Sequence, residues 1–374
     1  MLRTIIAGIC VMLLGSQFAW GHAAFGTGFE RPRSALERAA HTEALIIAQV
    51  TQGAKPLALP DHVPASTLAF KVKVLETIAG EPPKEEFLVM QLGKKQLAYP
   101  PDSIILLSVS RTAHFVSANV PRPAELPPPA NAPAWFTEQT RAETVEIDAG
   151  FIPVIREYIA RALPFEKLDD PLERTAGIFR TGFKTLETDR IHPLLGFETI
   201  RDLLIASLDV QPQVGKQDAY NLLRISKNSN QDFRSQHGAV VMLFKAEAAI
   251  WRPIAHEILK TPSIDSRLHA LTASQLAREP TATDASLFMA LLNNKDEYLV
   301  RSAIIGLGKL SHAPALSLFE KLSTDATEEI GRTLVSALAL MNLPDAKKTL
   351  ERWSQTHPQA TIQALAARQL IRSR

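Results

Sequence analysis

The stretch Asp296-Glu-Tyr-Leu-Val-Arg301-Ser-Ala-Ile-Ile-Gly-Leu-Gly308 decides the fold of the C-terminal half of this 374-residue chain. Its apolar residues Val300, Ile304 and Leu307 recur at helical spacing and form one stripe, the pattern of a helix that packs on one side. The segment therefore predicts an amphipathic helix whose stability depends on burying that stripe against neighbours.

Related segments recur through the C-terminal half, each with an arginine at the same place. The intervals between these arginines are 33, 33, 34 and 31 residues. The five are Arg201, Arg234, Arg267, Arg301 and Arg332. A shorter helix precedes each segment, for example over Ala313–Leu322 and over Asp284–Leu292. A period of this size predicts a helix-turn-helix unit stacked on copies of itself.

Small residues in these helices, such as Gly306, Gly308 and Ala337, suit a stack in which helix axes approach closely. Each glycine lowers helix propensity by about 1 kcal/mol relative to alanine, so close packing has to compensate.

The Asp296 to Gly308 segment resembles the HEAT-repeat family, including its short bacterial variety, in which an Asp and then Val-Arg open the second helix. Asp265 and Asp325, each shortly before its arginine, match the same motif less closely. The resemblance covers residues 197–374 and implies an α-solenoid of the armadillo type. It implies that the five arginines are structural and bond neighbouring loops; a ligand-binding row is the alternative. Members of the family bind proteins, nucleic acids or small molecules, so the resemblance does not name a function.

Residues 1–23 have the order of a secretory signal peptide: Arg3, an apolar core over residues 5–14, and small residues at a cleavage site after Gly21 or Ala23. An uncleaved membrane anchor is the alternative. Cys10 is the only cysteine and lies in this segment, so the mature chain would hold no disulfide, and its context is not that of a lipoprotein. The sequence predicts a bacterial periplasmic or secreted protein with no integral membrane insertion after signal cleavage.

The sequence pattern of residues 30–119 predicts a small β domain. Leu68, Phe70, Val72 and Val74 alternate with other residues at the period of a half-buried strand. Further strands are predicted over Ala44–Val50, Phe87–Leu92, Ser103–Val109 and, more weakly, His114–Ser117. Five short strands separated by turn signals predict a small barrel or sandwich. Their order is similar to that of OB-like, netrin-type barrel modules.

Residues 120–136 form a proline-rich linker that includes Pro127-Pro-Pro129, and Trp135-Phe136 at its end is expected to pack back onto a domain. Such a run favours extended polyproline II and serves as a stiff spacer or as a peptide ligand.

Residues 150–196 are predicted to form a helical cap or connector, with helices over Phe151–Leu163 and Pro171–Thr188. One face of the second helix carries Leu172, Ala176, Phe179, Phe183 and Leu186. A docking helix for a partner is the alternative. The whole chain is therefore a multi-domain α+β protein.

Composition argues against several classes of partner. The formal net charge is +2, and basic residues alternate with acidic ones without forming a stripe, so no nucleic-acid partner is expected. Metal, phosphate-loop and nucleophile motifs are absent from the sequence, so it predicts no catalytic residue, cofactor or metal site. Cleavage after Gly21 would expose His22 as an N-terminal copper ligand, which is an alternative that cleavage after Ala23 removes.

The sequence favours an exported, non-catalytic scaffold that uses its helical-repeat surface to bind another protein or a peptide. The alternative is an exported enzyme or enzyme accessory whose site lies at the interface between the β domain and the solenoid.

Overall fold

The computed structural model describes residues 33–56, 68–81, 85–91, 99–111, 135–137 and 147–372. The predicted signal peptide, the proline run of the linker and the candidate strand His114–Ser117 lie outside these ranges. The chain divides into two compact units, Met1–Val210 and Gln211–Arg374. The first unit combines a small antiparallel sheet with helices, and the second is helical where it is described. The chain is thus α+β, as predicted.

Four strands of the first unit form an antiparallel sheet in the spatial order β3-β2-β1-β4. They are β1 (Ala44–Pro56), β2 (Leu68–Gly80), β3 (Glu86–Gln91) and β4 (Ile104–Arg111). Each matches a predicted strand, so these four predictions are confirmed.

A short fifth strand, β5 (Trp135–Thr137), pairs in parallel with β3 and antiparallel with β4. The four long strands do not close a barrel themselves, because β3 and β4 are joined only through these three residues in the described part of the chain. Residues 135 and 136, predicted to end the linker and to pack back onto a domain, pair with β3 and β4 as part of the sheet. The strand propensity of Trp and Phe is consistent with this.

Both faces of the sheet are covered around β1. Alternate residues, including Ile46, Val50, Phe70 and Leu107, form a buried core on one face. Leu45 and its neighbours on the other face are buried too, and the short helix α1 (Ala35–His41) packs against β1 and β2 there. The nearly continuous apolar run of β1 reflects this double burial.

Three longer helices complete the first unit: α2 (Phe151–Glu166), α3 (Pro171–Leu186) and α4 (Pro193–Asp209). The predicted helices over Phe151–Leu163 and Pro171–Thr188 are confirmed by α2 and α3. Part of the proposed apolar face of α3 is wrong, because Leu172 is 64% exposed. The small residues Gly177 and Gly182 are buried instead, against the side chains of Phe165 and Leu203.

Ten helices form the described part of the second unit, and each packs against its neighbours. They are α5 (Lys216–Lys227), α6 (Phe233–Leu243), α7 (Ala248–Lys260), α8 (Ser266–Arg278), α9 (Ala285–Leu291), α10 (Glu297–Lys309), α11 (Leu316–Thr324), α12 (Glu328–Leu340), α13 (Pro344–Thr356) and α14 (Ala360–Arg372). The predicted helical repeat architecture is therefore present. The second helices of successive pairs, α6, α8, α10, α12 and α14, contact one another in order.

The repeat motif acts at the start of these second helices. The side chains of Asp232, Asp265 and Asp296 cap α6, α8 and α10 by accepting backbone N–H bonds. In α12 the cap is Thr327, whose hydroxyl accepts from the Ile330 amide, and not Asp325. The acidic residue of the motif is therefore a helix cap in three of these four helices.

Two glycines of α10 lie in close contact with neighbouring helices. A Cβ atom on Gly306 would lie 2.5 Å from the ring of Phe288, and one on Gly308 would lie 2.8 Å from the Cα atom of Ala337 in α12. The predicted role of these small residues is confirmed, because no side chain fits at either position without displacing a neighbour.

Polar contacts join each repeat to the next. Six of them connect residues that lie 30 to 32 positions apart, close to the sequence period of 31 to 34 residues. The pairs are Lys227–Glu257, Arg252–Asp284, Arg278–Lys309, Glu297–Thr327, Ser311–Asn342 and Glu320–Arg352. Stacking thus repeats polar as well as apolar contacts.

Candidate functional site

Two of the five repeat arginines pair with the cap of their own helix. Nε of Arg234 lies 3.0 Å from Oδ1 of Asp232, and Nε of Arg267 lies 3.0 Å from Oδ1 of Asp265. The Arg267 guanidinium holds the pKa of the Asp265 carboxyl below its usual value. Both arginine side chains remain more than half exposed.

Two of the arginines reach a neighbouring repeat. The Cζ atom of Arg267 lies 3.5 Å from the centre of the Phe233 ring of α6, a cation–π contact. Nη2 of Arg301 lies 3.5 Å from a carboxylate oxygen of Glu329 at the start of α12. Arg332 pairs within its own helix, with Glu328. These arginines therefore tie helix starts together by several different contacts.

Arg201 has a different environment. It lies in α4 of the first unit, where it is 6% exposed. Its Nη1 atom is 3.9 Å from Oε1 of Glu198, and its guanidinium lies over the Phe197 ring. Its two terminal nitrogens have no hydrogen-bond partner among the described residues. Sequence analysis aligned Arg201 with the other four, whereas the structure places it in a buried cluster.

The second helices of the repeats share one partly exposed face, which we call the repeat face. Its residues recur at three- and four-residue spacing along each helix. They are Arg234, His237 and Val241 of α6, Arg267, Leu271 and Ser274 of α8, Arg301 and Ile305 of α10, and Arg332, Ser336 and Leu340 of α12. An arginine stands in the first part of each helix, and an apolar side chain follows in each of the four.

Arginines of the repeat face contact the adjacent second helices: Arg267 of α8 lies over the Phe233 ring of α6, and Arg301 of α10 lies near Glu329 of α12. The His237 ring packs against Phe233 at 5.9 Å, next to the guanidinium of Arg267. Burial, and then the positive charge of Arg267, lower the pKa of His237. Both effects favour the neutral imidazole, which contributes an aromatic surface to this face.

A separate polar cluster joins α7 to the turn before α9. The Asp284 carboxylate is fully buried and accepts from Nη1 of Arg252 at 2.8 Å. It also lies 2.6 Å from Nε2 of His256 and accepts from the amide of Thr281 at 2.7 Å. Burial alone would raise the Asp284 pKa, but these partners outweigh it and lower the pKa. Arg252 and His256 thus join α7 to Asp284 of the next repeat.

A shallow cavity of about 390 Å³ lies beside α5 and is lined by Tyr220, Leu223, Arg224, Lys227 and Asn228. Tyr220 is 45% exposed, so the cavity is open to solvent on one side. Lys227, on its rim, is paired with Glu257 of α7.

A buried ionisable cluster occupies the first unit, where α1 meets α2 and α4. Its members are at most 8% exposed. They are Ser34, Glu37, Arg38, Tyr158, Glu198, Arg201 and Asp202. None of these seven residues except Arg201 is a site residue predicted from the sequence. The signal that could have found the cluster is the placement of Glu198, Arg201 and Asp202 inside an otherwise apolar helix, where charged residues need a buried partner.

Asp202 and Glu198 lie one turn apart on α4 and face the start of α1. The hydroxyl of Tyr158 donates to Oδ2 of Asp202 at 2.6 Å, and the hydroxyl of Ser34 also bonds that carboxyl. The backbone N–H of Ala35 donates to Oε2 of Glu198 at 2.7 Å. Burial is the main cause that raises the pKa of Asp202 to about 8. Burial and the nearby carboxyl of Asp202 also raise the pKa of Tyr158 well above 10.

Within the described ranges no three His, Cys, Asp or Glu side chains gather as a metal site would require. In the same residues no helix is both long enough and apolar enough to cross a bilayer. No family model matches the chain, and no curated protein matches it significantly.

Proposed function

We propose that this chain is an exported, non-catalytic binding protein of the HEAT-like type whose repeat face holds a segment of another protein. The observation that carries the proposal is that one surface is repeated on the second helices of four successive repeats. Such stacking generates an extended surface for an extended partner. The small sheet of the first unit, which we propose follows the strand order of OB-like, netrin-type modules, would orient that surface or bind a second partner.

The chemistry of the repeat face supports a protein partner. Leu271 and Ile305 offer apolar side chains that are only partly covered by their own helices. Arginines stand one turn before them, and arginine is enriched in the residues that dominate protein–protein binding. Arg267 and Arg301 are held in place by Asp265, Phe233 and Glu329, so little conformational entropy is lost when a partner binds.

Site-specific photo-crosslinking tests the proposal. A crosslinking side chain at Leu271 or Ile305 in the full-length protein, in its native cell compartment, should capture one protein in stoichiometric yield. A crosslinker at Lys347, on the exposed side of α13, should not capture it. Equal capture from both helices would contradict the assignment of the repeat face.

Substitution with aspartate provides the matched test of affinity. Leu271→Asp should lower the amount of captured partner by at least about tenfold, because an ionised group would have to be buried at the contact. Leu172→Asp makes the same change at an exposed site of the first unit and should have no effect. Thermal melting of both variants checks that each remains folded. Loss of the partner in both variants would refute the proposed surface.

Export is the second element of the proposal and rests on residues 1–23. Sequencing of the mature N-terminus should begin at residue 22 or 24. A protein recovered from the cytoplasm with residue 1 intact would refute export.

A further inference from the structure

The cluster between α1, α2 and α4 has an imbalance of charge. Glu37, Glu198 and Asp202 supply three carboxyl groups, while Arg38 and Arg201 supply two guanidinium groups. All five side chains are buried. An uncompensated charge in such a site is expensive, and a buried group commonly becomes neutral instead. One bound proton would balance the cluster.

Neighbouring groups show which carboxyl holds that proton. Glu198 accepts a backbone N–H from α1 and lies beside Arg201. Glu37 accepts the backbone N–H of Ser34 at 3.0 Å as part of the capping box of α1. Both carboxyl groups thus accept backbone N–H donors, and Glu198 also has a guanidinium nitrogen 3.9 Å away.

Asp202 accepts hydrogen bonds from the hydroxyl groups of Tyr158 and Ser34. These bonds lower its pKa, but burial outweighs them and raises it. The negative charges of Glu198 on α4 and Glu37 on α1 raise the pKa of Asp202 further. On α2 the carboxyl of Glu166 adds to the negative field at Tyr158 and lies 4.0 Å from His41 of α1. The proton therefore belongs on Asp202.

The same contacts attach α1 to the helices of the first unit. The backbone N–H of Ala35 bonds Glu198, and Ser34 bonds Asp202. Nη1 of Arg38 reaches the carbonyl of Leu106 in β4, at 3.5 Å. The seven-residue helix is too short to be stable in isolation, so its position depends on these anchors.

We propose that the cluster is a proton-dependent clasp, in which a proton held on Asp202 keeps α1 attached to α2 and α4. Opening α1 would expose Asp202 to water, and the carboxyl would then lose its proton at ordinary pH. Acid therefore tightens the clasp and base loosens it.

The direction of this pH dependence follows from the difference between the pKa values of Asp202 in the closed and open forms. Folding raises the pKa of Asp202 from 3.8 to about 8, so the closed form binds more protons than the open form between these values. The stabilisation is complete below about pH 4, decreases as the pH rises, and is lost above about pH 8. Within that window one released proton increases the opening equilibrium constant by up to about tenfold per pH unit.

Hydrogen exchange of α1 amides in the full-length protein tests the proposal. After correction for the intrinsic exchange rate, opening in the wild type should increase by up to about tenfold per unit between about pH 5 and about pH 8. Asp202→Asn keeps the shape and does not titrate, so its opening should be independent of pH. Asp169→Asn, at an exposed position between α2 and α3, is the control and should behave as the wild type. A wild-type profile without pH dependence, or an unchanged slope in Asp202→Asn, would overturn the proposal.

Infrared spectroscopy of the wild type gives a second test that does not require the Asp202 variant to fold. A protonated carboxyl gives a C=O stretch that a carboxylate lacks, and this band should persist at neutral pH. Tyr158→Phe removes the 2.6 Å hydrogen bond and should shift the frequency of the band. A spectrum without a protonated carboxyl at neutral pH, or a band that Tyr158→Phe leaves unshifted, would refute the clasp.

Discussion

Replacing Gly308 with alanine should destabilise the second unit, although alanine is the better helix former. The substitution gains about 1 kcal/mol of helix propensity. The added Cβ, however, would lie 2.8 Å from Cα and 2.9 Å from the carbonyl oxygen of Ala337. These are backbone atoms that cannot rotate away, so α10 and α12 would have to separate.

Overpacking of this kind costs about 1–3 kcal/mol in well-packed cores. Because the clash involves backbone atoms of two helices, we expect a value near the upper end. The net change for Gly308→Ala should therefore be a loss of about 1–2 kcal/mol in the free energy of unfolding. Ala337→Gly should not rescue the variant, since the Cα and the carbonyl oxygen remain in place.

Chemical denaturation of the full-length protein measures this change. Tryptophan fluorescence reports on the second unit through Trp251 and Trp353, which are both buried there. Ala270→Gly, at a partly exposed position of α8, serves as the control for helix propensity and should cost about 1 kcal/mol. If Gly308→Ala raised the denaturation midpoint, propensity would outweigh packing and the argument for close approach would fail.

Two further predictions concern buried polar groups of the second unit. Asp284→Ala should lower the free energy of unfolding by about 3 kcal/mol or more, because Arg252 would lose its buried partner; adding Arg252→Met should recover part of the loss. A loss below about 1 kcal/mol in denaturant unfolding would show that solvent screens the pair. Burial lowers the pKa of His357, so the stability that its neutral form supplies should be present above about pH 6.5 and lost as the pH falls. Midpoints measured across this range should decrease in the wild type and stay flatter in His357→Asn; parallel profiles would contradict the assignment.

The repeat architecture was predictable because its determinants are local and recur. A helical apolar stripe, a capping Asp and a small residue at a close contact each depend on a few neighbouring positions. Asp296 indeed caps α10, and Gly306 indeed faces a neighbouring aromatic ring. Repetition of the pattern made the signal stronger than any single copy.

The environment of Arg201 could not be predicted in the same way. Its spacing matched the other arginines, but it lies in the first unit, where tertiary packing buries its side chain. Likewise, the burial of Ser34 and Glu37 depends on α4, more than 150 residues away along the chain. Residue spacing contains no information about such pairs, so the buried cluster was missed.

Strand β5 shows a further limit. Its three residues follow a proline-rich stretch, and the period of two cannot be recognised in so short a segment. Only its pairing with β3 and β4 identifies it as a strand.

The polar contacts between residues 30 to 32 positions apart have a mechanical consequence. Each contact crosses a single junction, so breaking one junction leaves the bonds of the others unchanged. A pulling force applied at Arg372 would therefore unfold the helix pairs one at a time, beginning with the C-terminal pair. It would not disrupt the whole stack at once.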